Sequence, residues 1–476
     1  MRPAEFALPS VCSAQSLHFI GVGGVGMSGL ATLFAQTGYR VSGSDVSENG
    51  YTKKLAMLGA RVMIGPQAPE NVPDESLVVI STAIDADNPE FLKAKAAGLS
   101  ICHRSGLLRS ILQEGALGIP FEHTIGITGT HGKTTLTAMA GWIMDQAGLE
   151  PTVIAGGKML AWQHTAKLGS HLKIAVAELD ESDGSLLTYQ PTMSVLTNLE
   201  LDHAEHFPGG IAELEAHFVQ FVKNLPATAT VIVNDACPRL SRLFLSEGTP
   251  PSWTATICPL SAFCLPDEVA LPFPGAQYQL NAKMALALAA ALNIDQATAL
   301  SALATFPGVG RRLERLGTWT IDSEDPQSPI SLQLLDDYAH HPTEVSVTLA
   351  GLRQQLPQGA RLIAVFQPHR FTRLQALWDE FLTCFDCIDA VWITPVFAAH
   401  EPAIPNITHS SFADALRSRL QQQPFPHTKL TPQNVFAAPS DDWSLLREAL
   451  KGFVKPGDSI VTLGAGSITF LLRGLS

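Results

Sequence analysis

The chain has 476 residues, 46% hydrophobic and 16% charged, which is material for about three packed domains and excludes a disordered or fibrous chain. Lysine plus arginine number 31 against 44 aspartate plus glutamate, and the net charge of −13 argues against nucleic acid as the main partner. The longest apolar run, Met284–Leu292, falls well short of the roughly 18 residues of a membrane span, so no membrane partner is expected.

Residues 1–16 carry Pro3 and Pro9 and no continuous apolar core, unlike a secretory signal. The seven cysteines are an odd, scattered set rather than a disulfide framework, as in a reduced, cytoplasmic protein. Cys384-Phe-Asp-Cys387 is a lone C-x-x-C, and buried thiols explain it better than a zinc site shared with Cys258 and Cys264.

In chain order, short continuous apolar runs alternate with helical patterns, as in α/β folds with parallel sheets covered on both faces. Strands are expected at Leu17–Gly21, Arg40–Gly43, Leu77–Ser81, Thr124–Thr128, Ile174–Glu178, Met193–Thr197, Thr230–Asn234, Arg361–Phe366, Ala390–Thr394 and Ser459–Leu463. Gly248–Gly275 holds six prolines and reads as a surface excursion inside a domain, followed by a helix over Asn281–Leu292. Boundaries are expected near Gly115–Pro120 and Pro307–Arg312, giving domains over 1–118, 119–311 and 312–476.

Two glycine loops follow strands. Gly21-Val-Gly23-Gly24-Val-Gly26-Met27-Ser28 has the spacing that lets backbone N–H groups approach a diphosphate at a helix N-terminus, with Asp45 a candidate for a ribose hydroxyl. Taken alone it indicates a dinucleotide such as NAD, or only a tight turn. Gly126-Ile-Thr-Gly129-Thr130-His131-Gly132-Lys133-Thr134-Thr135 points to ATP: its N–H groups can wrap phosphate, Lys133 can reach the β/γ oxygens, and the Thr134 hydroxyl can ligate Mg²⁺. It is not a strict Walker A loop, since Ile127 stands where a glycine is usual.

Carboxylates at the following strand ends suit a cation. Glu178-Leu-Asp180-Glu181-Ser-Asp183 ends one strand, with a solvated acidic loop as the bland alternative. Asn198-Leu-Glu200-Leu-Asp202-His203 ends the next, and His203 suits a second cation or a phosphate oxygen.

These loops, with Asp336-Asp337-Tyr338-Ala-His340-His341-Pro342 and Gln367-Pro-His369-Arg370-Phe-Thr-Arg373 further on, resemble the Mur ligases over His18 to Ile468. The Asp-Asp-Tyr-Ala-His-His-Pro run marks the branch that joins L-alanine to UDP-N-acetylmuramate in peptidoglycan precursor synthesis. The resemblance implies an N-terminal Rossmann-like UDP domain, a central P-loop-type ATPase domain and a C-terminal Rossmann-like amino-acid domain. UDP contacts are then implied at Gly21, Gly23, Gly24, Gly26, Met27, Ser28, Asp45 and Arg104, in place of NAD. ATP contacts are implied at Gly129, Thr130, His131, Gly132, Lys133, Thr134, Thr135, Asn281, Arg312 and Asp337. Thr134, Glu178 and His203 would hold Mg²⁺, with Mn²⁺ as a substitute. Catalytic roles fall to Lys133, Glu178, His203, Arg312, Asp337 and His340, and Tyr338, His340, His369, Arg370 and Arg373 would line the alanine and acyl-phosphate site. A monomer or weak homodimer that closes over its nucleotides is the expected form.

Each assignment has a dull alternative: Arg311–Arg315 as a solvated face, His340–His341 as a satisfied loop pair. The chain also departs from the family pattern. Gln277 and Tyr278 stand where His and Asn usually meet the adenine, with Tyr278 offered as a stacking partner for the base. Glu205 replaces an aspartate and Ser467 an acid. Three other functions compete: a ligase attaching a recycled tripeptide to the same sugar nucleotide, a nicotinamide oxidoreductase that would leave the Lys133 loop idle, and a non-catalytic nucleotide binder.

Overall fold

A computed structural model describes residues 14–118, 120–171, 173–201, 206–246, 253–321, 330–423, 429–440 and 442–475. Three sheets follow one another along the chain. The first has strands β1 Ser16–Ile20, β2 Arg40–Asp45, β3 Arg61–Ile64, β4 Leu77–Ile80 and β5 Ile101–His103, all parallel in the order 3-2-1-4-5. The second has β6 His123–Thr128, β7 Thr152–Met159, β8 His164–Lys167, β9 Ile174–Glu178, β10 Met193–Leu196, β11 Thr230–Val233 and β12 Thr256–Pro259, in the order 12-11-10-6-9-7-8. The third has β13 Glu314–Ile321, β14 Ile330–Asp337, β15 Leu362–Phe366, β16 Ala390–Ile393, β17 Val435–Ala437 and β18 Ser459–Leu463, in the order 13-14-18-15-16-17. Antiparallel pairs occur at one edge of each later sheet, β7 with β8 and β13 with β14.

The expected apolar runs all become strands. Eight strands had no such run: β3, β5, β12 and β17, three- or four-residue strands at sheet edges where a neighbour's unpaired backbone recruits them, and the two antiparallel pairs β7–β8 and β13–β14. The proline-rich stretch is accordingly not a plain excursion: Thr256–Pro259 joins the second sheet beside β11, and Phe273–Gln279 packs with the C-terminal part of the chain. The helix after it runs over Ala276–Ala291.

Packing divides the chain into two compact units, one reaching Pro272 and including Leu280–Gly308, the other made of Phe273–Gln279 and residues from Val309 onward. The first unit holds two sheets because one apolar core runs through both, from Leu17, Leu33 and Ile111 to Tyr189, Phe218 and Val231. Helix Val25–Gln36 approaches β8 so closely that a Cβ on Gly29 would stand 2.6 Å from Thr165 Oγ1. Lys54 donates to the Gln163 carbonyl at 2.6 Å, and Tyr39 to that of Ala116 at 2.9 Å. The second unit has a separate core of Trp319, Leu334, Val365, Trp392, Leu446 and Ile460. Among the described residues no helix is long and apolar enough to cross a membrane.

Both parallel sheets of the first unit place loops that could bind ligand at their carboxyl ends, beside the strand where the winding direction reverses, β1 in the first and β6 in the second. In the first sheet a polar buried cluster sets these ends. Glu90 accepts from Ser44 Oγ at 2.6 Å and Asn71 Nδ2 at 2.7 Å and lies 3.2 Å from His18 Nε2. Burial alone would raise the Glu90 carboxyl, but these contacts, His18 foremost, bring it below its ordinary value.

Gly43, in the middle of β2, has no room for a side chain: a Cβ would lie 2.7 Å from Val22 Cβ and 2.8 Å from the Phe19 carbonyl. Gly43→Val should destabilise the first unit by about 1–3 kcal/mol, the range for overpacking against backbone that cannot yield. Urea unfolding followed by fluorescence measures this, and an unchanged midpoint would contradict the packing described.

Candidate active site

The loop between β6 and helix Lys133–Gln146 is shaped by its glycines and held by its neighbours. Gly129 (φ +133°) and Gly132 (φ +84°) adopt backbone shapes that favour glycine, and a Cβ on Gly129 would stand 2.1 Å from Thr197 Oγ1. The stretch after β10 grips the loop. Thr197 Oγ1 donates to the His131 carbonyl at 2.9 Å, Asn198 Oδ1 accepts the His131 N–H at 2.8 Å, and Thr130 Oγ1 donates to the Glu200 carbonyl at 3.0 Å. His131, Thr134 and Thr135 are buried. First-turn N–H groups and the helix dipole favour an anion there.

Lys133 folds back over this loop. Its Nζ donates to the carbonyls of Gly129 (2.6 Å) and Thr130 (3.1 Å) and pairs with Glu181 at 2.8 Å. Burial disfavours the ammonium, but Glu181, Glu178 and Asp180 outweigh it and hold its pKa above the ordinary lysine value. Burial, helped by the Asp180 charge and opposed by Lys133, pushes Glu181 up to about 7.

The acidic run is therefore not a solvated loop. Asp180 accepts from Arg104 at 2.8 Å and from Ser182 N at 2.9 Å, while Asp183 accepts from Ser185 N at 2.9 Å. Arg104 and Lys133 overcome the effect of burial and hold Asp180 well below the usual carboxylate range. Glu178 ends β9 and accepts the Gly156 N–H at 2.7 Å. A Cβ on Gly156 would lie 2.7 Å from both of its carboxylate oxygens, so a glycine in β7 makes the cradle for this acid. Glu181 and Gly156 are functional neighbours that sequence reasoning missed. The glycine pair Gly156-Gly157 inside a strand was a signal of close approach, whereas nothing in the spacing tells which acid meets Lys133.

The hydroxyl of Thr134 and the carboxylate of Glu178 are hard oxygen donors of the kind Mg²⁺ takes, so the residues fit that cation. His203, expected beside a second cation, lies outside the described residues, as does Glu205.

At the first glycine loop, Gly21 (φ +76°) makes the turn, and a Cβ on Gly23 would meet Asn49 Nδ2 at 2.7 Å and Asp45 Oδ2 at 2.8 Å. Asp45 accepts the Gly23 N–H at 2.8 Å and Asn49 Nδ2 donates to its carbonyl at 3.1 Å, so these side chains shape the loop. Gly24 caps helix Val25–Gln36 and Gly26 lies against Arg104, whose Nη1 is 3.6 Å from where a Cβ would be. Met27 and Ser28 are turned inward. Ser28 is fully buried, and its hydroxyl and its N–H go to carbonyls of the same turn, those of Val25 and Gly24. Arg104 thus touches the first loop and pairs with the acids beside the second.

In the second unit the residues expected at one site converge at the carboxyl ends of β14, β15 and β18. Tyr338 and His340 rings lie 5.1 Å apart edge to face, His340 and His369 5.8 Å apart, and Arg373 Nη1 is 3.3 Å from His369 Nδ1. His340 Nδ1 is 2.9 Å from the Tyr338 carbonyl. His369 stacks on Phe397 at 5.4 Å. Arg370 (φ +71°) donates from its Nε to Glu401 at 2.7 Å, which Thr372 also contacts. Glu401 and Phe397 carry no motif and were not legible beforehand.

Asp337 is buried and accepts the N–H groups of Leu313 (2.7 Å) and Ala339 (2.8 Å), each oxygen keeping a further lone pair. Burial, opposed by Arg312, pushes it up to about 6. Its neighbour Asp336 is structural, taken by Thr462, Thr469 and Arg473. Arg311 and Arg312 both lie over the Tyr338 ring, at 4.9 and 5.1 Å, so neither sits on a solvated face. Arg311 also donates to the carbonyls of Gly464 and Gly466, and Ser467 accepts from Gln367 at 3.3 Å. Tyr278 is committed within the protein, its ring stacked on Phe273 at 5.1 Å. Asn281, in the first unit, is buried.

Comparison with known proteins gives a consistent result. The profile described as "Mur ligase family, catalytic domain" matches residues 16–115, "Mur ligase middle domain" residues 127–256, and "Mur ligase, glutamate ligase domain" residues 325–466. The UDP-N-acetylmuramate–L-alanine ligase of Trichlorobacter lovleyi is 35% identical over 473 residues, covering 95% of this chain and 96% of the relative. That of Pelobacter propionicus is 36% identical over 477 residues, with the same coverage of both. Among solved structures, the UDP-N-acetylmuramate–alanine ligase of Thermotoga maritima superposes with a TM-score of 0.73 at 24% identity, covering 96% of this chain and 97% of that one. A murein peptide ligase from Psychrobacter arcticus gives 0.66 at 21% identity with the same coverage, and these two likenesses concern the fold.

The raised pKa of Asp337 has a definite sign. The folded state holds this proton more tightly than the unfolded chain, so the group's contribution to stability is greatest at low pH and is lost as pH rises through about 6. The melting temperature of the protein relative to Asp337→Asn should therefore fall between pH 5 and 7.5, by scanning calorimetry. A difference independent of pH would contradict the burial argument.

Proposed function

This chain belongs to the Mur ligase family, and from that premise we propose that it joins L-alanine to the carboxylate of UDP-N-acetylmuramate with conversion of ATP to ADP and phosphate. The observation that carries the reading is the glycine loop with its buried lysine, held beside Glu178 at the end of a parallel strand, in a chain whose relatives with this activity match it over 95% of its length. The proposed division of labour is a UDP domain over 1–118, an ATPase domain over 119–311 and an amino-acid domain over 312–476.

The chemistry follows from what a carboxylate lacks. Its charge repels an amine and it has no leaving group. Phosphorylation by the γ-phosphoryl of ATP forms a C–O–P linkage and releases ADP. The alanine nitrogen then adds to the carbonyl carbon, and the tetrahedral intermediate collapses to amide and phosphate. Little covalent work falls to the protein in the first step; positioning and charge neutralisation dominate.

In this reading the N–H groups of residues 129–135 and Lys133 hold the β and γ phosphates, which requires Lys133 to exchange the loop carbonyls for phosphate oxygens. Thr134 and Glu178 would hold Mg²⁺, whose charge offsets that of the phosphates. Asn281 would contact the base, Arg312 the γ-phosphate, and Asp337 a ribose hydroxyl through its remaining lone pairs. His340, whose Nδ1 lies 2.9 Å from the Tyr338 carbonyl and 3.4 Å from Glu344, would stand on the side of the incoming amine. Tyr338, His369 and Arg373 complete that side. The first loop, with Arg104, would carry the UDP diphosphate on backbone N–H groups. Such an enzyme would work in the cytoplasm, as a monomer or weak homodimer acting on small molecules.

Phosphate release with ATP, Mg²⁺ and UDP-N-acetylmuramate should depend on L-alanine. Release that ignores alanine but responds to a recycled tripeptide would assign the related ligase activity instead. Lys133→Ala should lower turnover at least about 10²-fold, the scale of removing one preorganised charge stabiliser, and near-normal turnover would refute its phosphate role.

A further inference from the structure

Tyr278 stands at a position where its ring would be expected to serve the nucleotide base, yet it is bound up in the second unit. It is only 9% exposed, stacked on Phe273 with planes 17° apart, and its hydroxyl donates to the carbonyl of Arg312 at 2.8 Å. Burial, with the Asp337 charge second, keeps this phenol protonated, so it can only be a donor to that carbonyl.

The segment it holds is strained. Arg311 (φ +59°) and Leu313 (φ +48°) both occupy the left-handed region, so Arg312 sits between two residues whose side chains disfavour their own backbone shape. Such a segment persists only where its surroundings over-determine it, and here backbone groups of each of the three residues are held. Arg311 N donates to Glu314 at 2.9 Å, the Arg311 carbonyl accepts from Tyr338 N at 2.6 Å, Arg312 N donates to Val309 at 3.2 Å, and Leu313 N donates to Asp337 at 2.7 Å. The Tyr278 hydroxyl adds to the local Val309–Arg312 bridge a restraint on the Arg312 carbonyl that comes from a segment distant in sequence. The outcome is a guanidinium placed over the Tyr338 ring and 3.8 Å from Glu344.

We infer that Tyr278 is a positioning residue for the ligase reaction, its hydroxyl fixing the strained Arg311–Leu313 turn in the shape that presents Arg312 to the transferring phosphoryl group. This rests on the reading of Arg312 as the γ-phosphate arginine. It turns Tyr278 from a base contact into a strut, and makes its effect one on transfer rather than on nucleotide binding.

The test is Tyr278→Phe, which keeps ring and stack and removes only the donor. The expected result is a kcat lower by about 3- to 10-fold, the scale of one neutral hydrogen bond, with the ADP dissociation constant and the KM for L-alanine and UDP-N-acetylmuramate unchanged. In an Arg312→Ala background the same substitution should cost nothing further. Phe273→Leu, which disturbs the stack and leaves the hydroxyl, should retain wild-type kcat. Normal turnover of Tyr278→Phe beside a crippled Arg312→Ala overturns the inference and leaves the reading of Arg312 standing. Normal turnover of Arg312→Ala overturns that reading and the inference with it. Additive losses in the double variant, a fall in Phe273→Leu equal to that in Tyr278→Phe, or failure of Tyr278→Phe to fold would each show the hydroxyl to be structural and overturn the inference.

Discussion

An ammonium group with little access to water needs charge close at hand, and in this protein Glu181 supplies it to Lys133. Removing one partner of such a buried pair typically costs about 3–5 kcal/mol, because the other charge is left without compensation. The pair therefore constrains everything around it. β9 must end where its following residues can reach the loop after β6, and the stretch after β10 must grip that loop from the other side. Arg104 must then balance Asp180 and Asp183, so the charge arrangement reaches back to the first glycine loop. In the proposed reaction Lys133 would exchange its contacts with Gly129 and Thr130 for phosphate oxygens.

The same logic of a group held in advance runs through the second unit with different chemistry. Arg312 lies 3.8 Å from Glu344 and stands on a backbone that has been forced into an unfavourable shape and tied there. Asp337 contributes to this as much as to any ligand, since both of its oxygens already accept backbone N–H groups. Arg370 is likewise held in advance, its Nε bonded to Glu401 on a neighbouring loop.

Much of the architecture was legible because buried parallel strands are continuous apolar runs, and such runs survive any tertiary arrangement. Ile174–Glu178 and Ser459–Leu463 match to the residue. The edge strands were not legible, since a segment such as Thr256–Pro259 is a strand only because a neighbour offers unpaired backbone. Among site residues, Gly129, Lys133 and Glu178 were readable from motif and strand end together. Glu181, Gly156, Glu401 and Phe397 were not, because their roles depend on distances between segments that no spacing encodes.

By itself, then, the sequence determined the three successive α/β blocks and the two glycine loops at strand ends, since glycine conformations, apolar runs and a lysine beside three glycines are local properties. Tertiary structure decided which acid meets Lys133, that Ser28 turns inward, that Arg370 serves Glu401 and that Tyr278 braces Arg312. Each of these is a choice among chemically equivalent partners, and only the close approach of distant segments, with burial making unpaired charges and donors costly, selects one of them.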